Sequence, residues 1–203
     1  MKTLKFDNEA DWLAARIGKI TGTRAKDVGV KRGGAKKLAY YELIAERLAT
    51  QLDEDIEENP MDRGKRLQPK AIELFSEAMK KKVDTSLRIW TRDDNDSIAI
   101  SPDGSIGKTE AVEVKCLSSA AHIKAFLTHE IPSEYYDQGL QYFIVNDKLK
   151  TLYFAFYDPR IPVKPFFTIA MTRESVKDEI EQCLAEQRNT LDEIEAVVNQ
   201  LTF

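Results

Sequence analysis

Cysteine and histidine are scarce: 203 residues contain two of each. Cys116 and Cys183 lie far apart and form neither a zinc-ligand nor a redox motif, so reduced packing residues are expected. His122 and His129 could share a helix face at their spacing of seven, but no acidic or thiol ligand joins them, and a helix surface is the expected setting. No apolar run approaches a membrane span, and Met1 to Asp7 turns acidic without the apolar centre of a signal peptide, so a cytoplasmic protein is expected. Internal repeats and low-complexity tracts are also missing. An excess of positive charge is absent too. The formal net charge of −4 argues against indiscriminate coating of nucleic acid, although it says little about a local channel.

Hydrophobic residues make up 42% and aromatic residues 9% of the chain, enough for one substantial core and a single domain over residues 1–203. Apolar periodicity predicts helices near 7–16, 22–28, 35–52 and 69–82, then strands near 86–91, 97–101 and 110–116. Helices near 119–128 and 133–146, strands at 150–157 and 166–170, and an amphipathic C-terminal helix at about 173–201 complete the order. The apolar side of that last helix carries Val176, Ile180, Leu184, Leu191, Ile194 and Val198. This alternation predicts an α/β fold with a mixed central sheet flanked by helices. Charge is uneven: Lys19, Arg24, Lys26, Lys31, Arg32, Lys36 and Lys37 make the amino-terminal region basic, suited either to DNA-backbone contact or to a solvated surface.

The most informative string is SPDGSIGKTEAVEVK, residues 101–115. Ala111 to Cys116 alternates apolar and polar residues as a half-buried strand does, so Glu113 and Lys115 share a face. Ser101-Pro102-Asp103-Gly104 is a turn former, and a hairpin through Gly107 returns Asp103 towards Glu113. Two hard oxygen ligands with room for water suit Mg²⁺ or Mn²⁺, and Lys115 could orient or help deprotonate an attacking water. The same residues also fit a turn aspartate and a surface ion pair.

The wider chain resembles the lambda exonuclease and YqaJ-like viral recombinase family of PD-(D/E)XK nucleases. The pieces occur in the family's order: Trp12 to Thr23, Arg63-Gly64, Ser101 to Gly104, Glu113 to Cys116, Tyr135 to Gln138 and Tyr153 to Arg160. The resemblance implies a restriction-endonuclease-like fold and a Mg²⁺-dependent 5′-to-3′ exonuclease, with Mn²⁺ as a substitute. Its substrate would be double-stranded DNA ends, resected to 3′ overhangs for recombination. It implies that Asp103, Glu113 and Val114 hold the metal, that Lys115 assists the nucleophile, and that Gln138 is an active-site glutamine. Arg16 and Thr23 match the positions that bind a terminal 5′ phosphate, a role that an arginine fork and a hydroxyl suit; a helix-end charge and an N-cap describe them equally well. Asp93 lies near another acidic position of the family, in a polar cluster that also reads as a solvated turn.

Gln68 departs from the pattern, since relatives carry a glutamate there. The amide keeps an oxygen but removes a negative charge, which puts a second cation in doubt; Glu73 is a possible substitute. The resemblance further implies a homotrimer around DNA, a single-strand-annealing partner protein and a bacterial or phage-infected host. An endonuclease of the same superfamily and a DNA-end binder with weakened cleavage are the alternatives.

Overall fold

A computed structural model describes residues 8, 10–11, 38–49 and 59–201. In chain order its elements are α1 (Leu38–Leu48), α2 (Pro60–Met79), β1 (Trp90–Thr91), β2 (Ala99–Ile100), β3 (Gly104–Ile106) and β4 (Glu110–Lys115). They continue with α3 (Ser119–Thr128), α4 (Tyr136–Val145), β5 (Thr151–Tyr157), β6 (Phe166–Thr172) and α5 (Lys177–Leu201). Single 3-10 turns at Ser133–Tyr135 and Glu174–Val176 lead into α4 and α5. The expected helices at 7–16 and 22–28 fall almost wholly outside the described residues.

Contacts divide the chain into two compact units: Met1–Pro69 with Lys115–Glu130 and Phe156–Phe167, and Lys70–Val114 with Ile131–Ala155 and Thr168–Phe203. In the first unit, α1 packs on α3 around Tyr41, Ala45, Ala120, Ile123 and Ile161. Ser118 caps α3 by accepting a hydrogen bond from the Ala121 N–H, and His129 ends it in the left-handed region at φ 54°. The pattern predicts α2 from residue 69, yet the helix begins at Pro60. Asn59 provides the reason: its Oδ1 accepts from the N–H groups of Met61 and Asp62, both at 3.0 Å, and Pro60 sits at the first helical position, where no N–H is required. The helix then runs through Pro69, a break costing about 3 kcal/mol in an isolated helix.

The second unit contains most residues of a sheet in the order β3-β4-β5-β6, with β1 and β2 forming a separate antiparallel pair. Gly107, at φ +59°, turns β3 back onto β4 in a conformation that favours glycine. Gly104 meets a different demand: a Cβ there would lie 2.4 Å from Val83 Cγ1 and 2.9 Å from Val112 Cγ1. β4 is buried from Ala111 through Val114 on both faces, not half-buried as its alternation predicts. Its place between β3 and β5 is the cause, because a central strand covered on both faces can bury even a glutamate that has partners. The result is an α/β fold with helices and a mixed sheet.

Candidate active site

The β3–β4 register pairs Gly104 with Val112 antiparallel, so one residue further out Asp103 lies opposite Glu113. The Val114 N–H donates to Asp103 Oδ2 at 2.8 Å, fixing the carboxylate against the neighbouring strand. Glu113 is 4% exposed. Both of its oxygens are held: Gln138 Nε2 donates to Oε1 at 2.7 Å and the Tyr142 hydroxyl donates to Oε2 at 2.5 Å. The same hydroxyl accepts from the Asp103 N–H at 3.4 Å, so one phenol bridges both acidic positions.

α4 makes this possible because positions four apart stack on one helical face. Gln138 and Tyr142 point to Glu113, whereas Gln141 turns away, donating to the Ala99 carbonyl at 3.2 Å and accepting from Gln187 at 2.7 Å. Gln141, though three residues from Gln138, therefore does not reach Glu113. Tyr142 is fully buried edge-on to Trp90, with ring centroids 6.0 Å apart. Burial first, and then the Glu113 charge, push its phenol far above the ordinary value, so it stays an O–H donor. Its role is absent from the sequence expectations, although its position four residues after Gln138 is the signal for it.

The donor set fits a hard divalent cation. Glu113 and Asp103 each supply carboxylate oxygens, and Val114 can offer only its main-chain carbonyl. No group of three or more His, Cys, Asp or Glu forms among the described residues. Two carboxylates, a carbonyl and waters match the preference of Mg²⁺ for retaining part of its hydration.

The remaining expected residues are distributed as follows. Lys115 closes β4 two positions beyond Glu113 and is half-buried, as is Gln68 on α2 in the first unit. Asp93 is exposed on the turn after β1, while neighbouring Asp94 pairs with Arg92 at 2.7 Å and with Arg188. Glu73 is exposed and paired with Lys70 at 2.8 Å. Arg16 and Thr23 lie outside the described residues. His122 is buried, not on a helix surface as expected; its Nε2 faces the Lys164 carbonyl at 2.9 Å and burial lowers its pKa, as suits a neutral packing imidazole.

The segment Asp158-Pro159-Arg160 has a structural job within the first unit. Asp158, fully buried, accepts from Ser119 Oγ at 2.6 Å and from Arg160 Nε at 2.8 Å. Arg160 also donates to the Leu117 carbonyl at 3.2 Å, and Arg63 donates to the Cys116 and Leu117 carbonyls at 2.7 and 2.6 Å. These bonds brace the stretch from Cys116 to Ser119 that connects β4 to α3.

A crystal structure of LHK-Exo in complex with dAMP is 28% identical to this chain with a TM-score of 0.58, covering 96% of this chain and 100% of that one. A second structure, of the alkaline exonuclease LHK-Exo from Laribacter hongkongensis, is 25% identical with a TM-score of 0.56 over the same shares. The likeness agrees with the restriction-endonuclease-like α/β arrangement expected from the sequence. No curated protein matches the chain. The model of the YqaJ-like viral recombinase domain matches residues 11–148, spanning the Asp103, Glu113 and Gln138 positions. Together with the alkaline exonuclease structures, the match supports a recombination-related exonuclease. The chain belongs to the YqaJ-like viral recombinase family.

Proposed function

We propose that this protein is a Mg²⁺-dependent exonuclease that removes the 5′-terminated strand from double-stranded DNA ends, leaving 3′ overhangs for recombination. The observation that carries the reading is the opposition of Asp103 and Glu113 across a hairpin, with both Glu113 oxygens held by Gln138 and Tyr142. Asp103, Glu113 and the Val114 carbonyl hold the cation, which when bound supplies charge stabilisation at the scissile phosphate and a more acidic water. Gln138 and Tyr142 set the direction of the Glu113 oxygens without adding charge. Lys115, on the same side of β4 by its alternation, orients the nucleophilic water and accepts or shares its proton.

Arg16 and Thr23 bind the 5′ phosphate of the substrate and thereby set the scissile bond in register. The chain works as one nuclease domain in a homotrimer around DNA, in the cytoplasm of a bacterial host or phage-infected bacterium, beside a single-strand-annealing protein. Mn²⁺ substitutes for Mg²⁺. The dAMP complex of LHK-Exo supports a nucleotide-binding site in this fold.

The test is incubation with Mg²⁺ or Mn²⁺ and three duplexes: linear 5′-phosphorylated, linear 5′-hydroxyl and closed circular. Progressive loss of the phosphorylated linear duplex is expected. Cleavage of circles would favour an endonuclease; binding without cleavage would favour an end binder, the reading that Gln68 motivates. Gln68→Glu separates that case, because a large gain in rate would identify the missing carboxylate as limiting.

A further inference from the structure

Two rungs join α4 to the segment that leads from β2 to Asp103. The Asp103 N–H donates to the Tyr142 hydroxyl at 3.4 Å, and Gln141 Nε2 donates to the Ala99 carbonyl at 3.2 Å. The first rung belongs to the candidate site, whereas the second has no part in the proposed chemistry. α5 extends it: Gln187 Nε2 donates to Gln141 Oε1 at 2.7 Å. This relay runs one way only. A main-chain carbonyl can only accept, so the Gln141 carboxamide must turn its NH₂ towards Ala99, which leaves its oxygen for Gln187. Ala99, Gln141 and Gln187 all lie in the second unit, with Asp103, Glu113, Gln138 and Tyr142.

The two glutamines line a cleft of about 630 Å³ together with aliphatic Ile98, Leu140, Ile144 and Leu191. Aliphatic packing tolerates small rotations of a helix, whereas a satisfied polar relay fixes one arrangement. At 3.6 residues per turn, Gln141 lies about 100° around α4 from Tyr142 and about 60° from Gln138, so its bonds hold the flank of the helix and oppose rotation about its axis. Rotation is the motion that the site tolerates least, because it carries Gln138 and Tyr142 away from the Glu113 oxygens they hold. We propose that Gln141 is a positioning residue of the nuclease site. By tying α4 to β2 and α5, it sets the rotation of α4 and the approach of the Asp103 turn, and through them the alignment of the two carboxylates for the cation. Gln187 acts through the Gln141 oxygen. The inference deepens the nuclease reading and rests on it.

The experiment uses the full chain. Gln141→Met keeps length and volume but removes both bonds, while Gln187→Met removes only the outer one. On linear 5′-phosphorylated duplex with Mg²⁺, Gln141→Met should lower kcat by about 5–10-fold with KM within about twofold, and calorimetric Mn²⁺ affinity should fall by a similar factor. Gln187→Met leaves the Ala99 rung and should lose about 2–3-fold in kcat. Coupling to Tyr142→Phe is the readout that mere packing would not move: in that background Gln141→Met should cost about twofold or less. An unchanged kcat and Mn²⁺ affinity in Gln141→Met, or the same loss in both backgrounds, would overturn the proposal. Should Gln141→Met unfold, Gln187→Met at its half-buried position decides, since a kcat equal to the parent's would overturn it too. A parent protein without cleavage or Mn²⁺ binding overturns the nuclease reading and this inference with it, whereas an active parent matched by Gln141→Met overturns this inference alone.

Discussion

Two buried carboxylates, one in each unit, differ in their described donors. Asp158 is gripped by the Arg160 guanidinium and the Ser119 hydroxyl, while the described donors to Glu113 are a carboxamide and a phenol. Burial alone would raise the Asp158 carboxyl, but the Arg160 and Ser119 hydrogen bonds and the Arg160 charge outweigh it and hold the group below its ordinary value of 3.8. A guanidinium partner cancels charge as it fixes position, which suits a brace. Neutral donors fix position and leave the charge as it is, which suits a ligand for a cation or for a reacting phosphate. Burial of an acid is therefore a poor guide to function by itself, and the chemistry of its partners is a better one.

Exchange of each carboxylate sharpens this contrast most. Glu113→Gln should lower cleavage of linear duplex by about 10²–10³-fold or more while leaving denaturant stability nearly unchanged. Asp158→Ala should do the reverse, costing about 3–5 kcal/mol in urea unfolding by leaving Arg160 without its buried partner. Cleavage per folded molecule should persist in that variant. Similar stability losses in both, with no separate loss of rate in Glu113→Gln, would erase the distinction.

Tyr142→Phe removes one donor to Glu113 and keeps the buried ring, so a smaller loss of about 10–100-fold in rate or metal affinity is expected, with the fold intact by circular dichroism. An unchanged rate would leave the phenol a packing residue. The smallest effect concerns pH. Because folding depresses the Asp158 carboxyl, its contribution to stability is complete above pH 3.8 and is lost as pH falls through the lower folded value. Unfolding curves from pH 6 to pH 2 should therefore fall less steeply at the acid end for Asp158→Asn than for the parent protein. Parallel curves would contradict the linkage.

Periodicity alone made much of the second half of the chain legible. The spans expected for α3, β4 and β5 fall within a residue or so of those observed, because each is a continuous apolar pattern bounded by turn formers. α2 starts well before the expected residue 69 because the Asn59 cap and Pro60 begin the helix upstream, and Pro69 lies inside it. β1 and β2 are only two residues each, and among the described residues the exposed segment before them, with Leu87 and Ile89 at 104% and 69% exposure, has no pairing strand over most of its length. At the site, the turn string 101–104 and the period-two strand were enough to set Asp103 opposite Glu113. Which α4 residues reach Glu113 was not readable from spacing, because Gln138, Gln141 and Tyr142 all satisfy a three-or-four rule and only packing against β2 and α5 sends Gln141 the other way. Likewise, Asp158-Pro159-Arg160 marked the family in sequence without disclosing that its work is to brace a connection.

The central claim is that Asp103 and Glu113 together hold a divalent cation, and calorimetric titration with Mn²⁺ tests it most directly. The parent protein and Arg160→Lys should bind the ion with similar affinity, whereas Asp103→Asn and Glu113→Gln should each lose at least about tenfold. Equal Mn²⁺ affinity in all four proteins would contradict the account.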